Sequence, residues 1–146
     1  KILDYARDEK TGIFHIQHIA TSNAATFFLP ETKGVEHHQS VRPLDDEQVI
    51  KKHFPNAFRD TDLEVNLREN DLNEICIVGA MSHMCIDATT RAAFDAGFSC
   101  TVVQDACATR DLDFQGRKIA AADVHGSFMA ALSSPYATVI DTSDIV

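Results

Sequence analysis

Apolar positions along this chain of 146 residues follow two rhythms. Short apolar or alternating runs at 12–19, 75–78, 100–103 and 137–140 have the length and composition of strands. Between them the spacing is helical. Leu63 and Leu67 lie one turn apart within 62–70, and 82–96 is rich in alanine and stops at Gly97. The stretch 118–133 puts Ile119, Val124, Phe128 and Leu132 on roughly one stripe. Strands and helices in alternation predict an α/β fold with a parallel sheet covered on both faces. In such sheets reactive groups gather beyond the carboxyl ends of the strands.

Residues 20–61 break the rhythm. Small polar residues, Pro30, Gly34, the adjacent His37 and His38, and Pro43 before the acidic Asp45, Asp46 and Glu47 predict a long irregular segment. Phe27, Phe28 and Leu29 argue against disorder there, so the segment is expected to cover the mouth of a site or to make a subunit contact. No internal repeat or low-complexity tract appears, and 1–146 is expected to be a single domain.

Composition narrows the partners. At 45% hydrophobic and 24% charged residues, the chain can bury one substantial core. A net charge of -9 and a pI near 5.1 disfavour nucleic acid and anionic membrane surfaces, both of which call for basic patches. Small molecules, or a protein such as a second copy, fit better. No apolar run is long enough to cross a bilayer and the start lacks a signal-peptide core, so a cytoplasmic protein is expected. The four cysteines, Cys76, Cys85, Cys100 and Cys107, show no paired metal-site spacing and read as reduced thiols. His15 and His18 fall on opposite faces of their strand, and His37 with His38 lacks a third ligand. No metal and no cofactor are expected.

Cys85 stands out. It follows the strand-like 75–78 and a turn beginning at Gly79, which puts it in the first turn of the helix expected from Ser82. Free N–H groups and the helix dipole there favour negative charge on sulfur and on an oxyanion. A small buried hydrophobe is the competing reading, since free cysteines are usually that.

The segments Gly79-Ala-Met-Ser-His-Met-Cys85, the alanine-rich stretch to Phe98, and Val102-Val-Gln-Asp-Ala-Cys-Ala-Thr109 together resemble the isochorismatase-like cysteine hydrolases. Lys52, followed by Ala57-Phe58 and Thr61-Asp-Leu63, is similar to the lysine segment of that family. The resemblance implies a Rossmann-like three-layer α/β/α fold and a triad of aspartate, lysine and cysteine. Cys85 corresponds to the nucleophile. Lys52 corresponds to the lysine, its neighbour Lys51 being a solvated charge. The aspartate of the family ends its first strand, which has no counterpart here: Asp4 and Asp8 lie on a helical stretch. The chain is therefore expected to be incomplete at its N-terminus, lacking that strand.

The resemblance also implies a mechanism. Sulfur adds to a carbonyl, the amides of Met81 and Cys85 hold the oxyanion, an amine departs, and water releases an acid from the thioester. A cis peptide at Ala80–Met81 is part of the family pattern. Relatives that cleave the vinyl ether of isochorismate lack this cysteine, which favours hydrolysis of a C–N bond, amide or carbamoyl, in a small molecule. Phe54, Phe58, His83 and Met84 are expected to line the pocket, and a homo-oligomer is implied. Asp105 reads as a structural cap, His125 as a buried or interface histidine. A fold that binds without catalysis, or a thiol redox protein pairing Cys85 with Cys107, are the alternatives.

Overall fold

A computed structural model describes residues 1–146. In chain order it comprises α1 (Ile2–Asp8), β1 (Phe14–His18), β2 (Gln48–Lys52), α2 (Leu63–Glu69), β3 (Glu74–Ala80), a π-type turn (Ser82–Ile86) and α3 (Asp87–Asp95). β4 (Ser99–Ala108), β5 (Leu112–Phe114), β6 (Arg117–Ile119), α4 (Ala121–Leu132) and β7 (Thr138–Ile140) follow. Short turns of tight helix occupy Lys33–Val35, Gln39–Val41 and Thr142–Asp144.

β1 and β2 pair in parallel, from Phe14 opposite Gln48 to His18 opposite Lys52. β3, β4 and β7 form a second parallel sheet, with Ile75 opposite Cys100 and Val102 opposite Val139. Helical crossovers make these parallel neighbours possible. The fold is α/β, of the three-layer α/β/α class.

One core ties the two sheets together. Ile50 of β2, Leu63 and Leu67 of α2, Ala93 of α3, and Phe98 and Cys100 at β4 form a buried cluster, against which Phe14 of β1 and Ile75 of β3 pack. Ile86, Val102, Met129 and Leu132 form a second cluster between the π-type turn, β4 and α4. Leu132 is fully buried, so truncation to alanine would cost about 2–5 kcal/mol. Gly97 ends α3 at φ 86°, a left-handed conformation that side chains resist.

Three features differ from the sequence expectation. The irregular segment contains a strand, β2, whose short Gln48-Val-Ile-Lys-Lys52 run is masked by the acidic residues before it and the lysines within it. The helix expected from Lys118 starts at Ala121, because 112–119 folds into an antiparallel hairpin with Leu112 opposite Ile119. Its two-residue loop, Gln115 and Gly116, has φ of 51° and 75°, the sign that matches the twist of a tight hairpin. On β3, Ile75 and Ile77 pack inward, whereas the alternate residues Cys76 and Val78 are exposed.

Candidate active site

The turn from β3 into α3 is built around conformation rather than space. Gly79 has φ 129°, yet an added Cβ would meet nothing closer than Ile86 Cδ1 at 3.8 Å, so backbone geometry is what demands glycine. The Ala80–Met81 peptide is cis. The Met81 carbonyl then accepts from the amides of Met84 (3.0 Å) and Ile86 (3.3 Å), and the chain makes a wide turn before α3 begins at Asp87. Cys85 therefore sits in a π-type turn, not in the first turn of an ordinary α-helix. Such turns are frequent at functional sites because they re-aim one side chain. Cys85 is half-buried and its thiol is free.

Buried partners hold this turn from below. Ser82 is wholly buried and its Oγ lies 2.8 Å from Nδ1 of His125 on α4. His125 Nε2 is 3.3 Å from Gln104 Oε1, and Gln104 Nε2 donates to Asp141 at 2.6 Å. A carboxylate only accepts, so Asp141 fixes the orientation of the Gln104 amide: its nitrogen donates to Asp141 and its oxygen accepts from His125 Nε2–H. With the imidazole neutral, Nδ1 then accepts from the Ser82 hydroxyl. Next to Ser82, His83 Nδ1 is 2.6 Å from Thr109 Oγ1 and its ring meets Phe128 edge-on, while Met84 is 41% exposed.

Lys52 is not a loop residue. It ends β2, and strand alternation separates it from its rival: Lys51 is exposed and Lys52 is only 3% exposed. The buried ammonium donates to the Pro55 carbonyl at 2.6 Å and has no carboxylate partner. The same carbonyl accepts from the hydroxyl of Thr89 at 3.3 Å, and that hydroxyl accepts from the Ala57 amide at 3.1 Å. Thr89 stands four residues beyond Cys85, so the two project from adjacent turns. Sharing an acceptor keeps the ammonium within two hydrogen-bond lengths of the helix that follows the thiol.

The expected pocket residues separate. Phe58 meets Phe98 with ring centres 5.7 Å apart and planes tilted by 38°, and packs on the core. Phe54 lies beneath the Arg59 guanidinium at 3.6 Å. Asp105 accepts from the amide and hydroxyl of Thr142 at 2.8 and 2.9 Å, which holds its carboxyl below the usual range and gives it the structural role expected. Burial pushes the Cys107 thiol up to about 11, so it stays protonated at neutral pH.

The histidines also part company. His15 Nε2 is 2.7 Å from Glu47, which takes two bonds from Arg7, at 2.7 and 2.9 Å, and one from the Leu44 amide at 2.9 Å. His18 stacks on Phe28 at 4.9 Å, and burial followed by the charge of Lys52 lowers its pKa. No group of three His, Cys, Asp or Glu side chains converges as metal ligands. A hollow of about 740 Å³ flanks the outer side of β2, lined by Asp60, Asp62 and Asn66 among others, and does not reach Cys85.

Comparison with known proteins shows the family and the fold. The isochorismatase domain profile covers residues 1–143. The chain belongs to the isochorismatase family, whose members are hydrolases. The Bacillus subtilis isochorismatase family protein YddQ is 51% identical over 142 residues, 97% of this chain and 79% of its own length. An isochorismatase from Pseudomonas putida superposes with a TM-score of 0.93 at 36% identity, over 99% of this chain and 74% of that one. A streptothricin hydrolase of Streptomyces noursei is 32% identical over 133 residues, 91% of this chain and 45% of that protein.

Sequence reasoning missed Thr89 and the network from Ser82 to Asp141. Thr89 carried a signal, being spaced one helical turn from Cys85. Gln104 and Asp141 carried none, because they meet only after β4, α4 and β7 have packed.

Proposed function

We propose that this isochorismatase-family hydrolase cleaves a C–N bond, amide or carbamoyl, of a small molecule, with Cys85 as nucleophile and Lys52 as its electrostatic partner. The observation that carries the reading is a buried ammonium tethered through the Pro55 carbonyl and the Thr89 hydroxyl to the helix that follows Cys85. A buried, fixed ammonium is suited to stabilise negative charge that develops on sulfur or on a substrate oxygen.

In the proposed reaction, sulfur attacks the carbonyl carbon and the oxygen takes up the electron pair near the amides of Met81 and Cys85. The thiol proton passes through a general base to the leaving nitrogen as the C–N bond breaks, leaving a thioester. Water then attacks, the acid is released, and the thiol recovers its proton. The general base is the role of the aspartate in the resemblance; neither Asp4 nor Asp8, on α1, takes it. The kinship to a streptothricin hydrolase supports an amide as the bond cut.

The test is hydrolysis of a panel of small amides and carbamoyl compounds by the full chain and by Cys85→Ala. Loss of roughly five powers of ten in kcat on substitution is expected. Turnover that survives the substitution would sink the assignment.

A further inference from the structure

The Lys52 ammonium owes its place to a backbone oxygen, and that oxygen is held by a side chain outside the triad. We propose that Thr89 is a positioning residue that fixes Lys52 for catalysis by clamping the turn that carries Pro55. This rests on the hydrolase reading above and extends it.

Thr89 spends its proton and one of its two lone pairs on one segment. Its hydroxyl proton goes to the Pro55 carbonyl (3.3 Å) and its lone pair takes the Ala57 amide (3.1 Å), so 55–57 is gripped at both ends. The Pro55 carbonyl has two lone pairs, and Lys52 takes the other at 2.6 Å. Ala57 is 1% exposed and packed in the main core, which anchors the far end of the grip. Within residues 1–146 the acceptor of Lys52 is this carbonyl, and it is oriented from the helix after Cys85. An ammonium has two further protons to offer, to a carboxylate, a substrate or charge growing on sulfur. Without the Thr89 hydroxyl the carbonyl can swing, and the ammonium swings with it.

The experiment compares Thr89→Val, which keeps the shape and removes the hydroxyl, with Thr89→Ser, which keeps the hydroxyl. Two readouts are taken on the full chain. The rate at which an acylating reagent modifies Lys52, followed by peptide mass spectrometry, reads position without reference to catalysis. Amide turnover reads chemistry. Thr89→Val should raise Lys52 labelling several-fold and lower kcat about tenfold or more, the scale of a misplaced catalytic group. KM should stay within about twofold, because substrate binding is not what is lost. Thr89→Ser should restore both readouts, and Thr89→Ala gives a second, smaller deletion should valine fold poorly.

Unchanged Lys52 labelling in Thr89→Val, or a kcat equal to wild type, would overturn the proposal. So would a fall in kcat on Thr89→Val that is as large in the Lys52→Met background as in wild type, since a clamp acting through Lys52 would have nothing left to act on there. Failure of the hydrolase reading looks different: Cys85→Ala retains turnover while the labelling pattern still follows Thr89.

Discussion

Glu47, just before β2, and Lys52, its last residue, live under opposite arrangements of charge. Around Glu47, one carboxylate satisfies Arg7, His15 and the Leu44 amide at once, and together they pin α1, β1 and the approach to β2. Its carboxyl is held at about 2, chiefly by the Arg7 hydrogen bonds, against an ordinary 4.5. Around Lys52, an equally sheltered charge meets a single neutral carbonyl. The first arrangement is what a protein does to stay folded. The second fixes the position of a charge through a neutral group, which suits a charge kept for chemistry.

Lys52→Met cuts deepest into this contrast. Removing the ammonium should lower kcat by roughly two to three powers of ten, as loss of a preorganised charge does. Its thermal midpoint should stay near that of wild type, because a hydrogen bond to a neutral carbonyl has been exchanged for packing. A large fall in midpoint would mean that Lys52 is held in place for stability and that the two charges are not opposites.

Glu47→Gln should do the reverse, lowering the midpoint by several degrees and leaving kcat within about twofold. The pH dependence has a definite sign. A carboxyl whose folded pKa is depressed stabilises fully above its ordinary 4.5 and loses that contribution as pH falls toward about 2. The gap between wild type and Glu47→Gln in urea midpoint should therefore be constant above pH 4.5 and close below it. A gap that widens in acid would contradict the assignment.

The smallest effect concerns the thiols. Iodoacetamide should modify Cys85 a few-fold more slowly in Lys52→Met than in wild type or Glu47→Gln, while Cys107, pushed up to about 11 by burial, should stay unmodified in all three at neutral pH. Peptide mass spectrometry reads both sites in one digest. Equal Cys85 rates in the three proteins would detach the ammonium from the sulfur.

The parts of this design that are legible in sequence are those written locally. Gly79 to Cys85 announces a strand giving way to a turn and helix, and Leu63 with Leu67 announces α2; each needs only its own neighbours. β2 escaped because its one buried apolar residue, Ile50, is bracketed by exposed positions and lysines, leaving no periodic signal. The β5–β6 hairpin escaped because Ile119 continues the helical spacing of Val124 and Phe128, and only the left-handed turn at Gln115 and Gly116 reveals the break. Lys52 could be placed by resemblance, whereas its burial follows from pairing with β1, a contact 34 residues back in register with His18. The Ser82 network is long-range throughout.

The acceptor that steadies Lys52 belongs to the main chain, and every amino acid supplies a carbonyl. Replacing Pro55 would leave the oxygen where it is, and an aligned column at that position would record nothing of its importance. Whoever wishes to retune this ammonium must work through whatever orients the peptide plane, and a scan that swaps side chains one by one will find that lever only by accident.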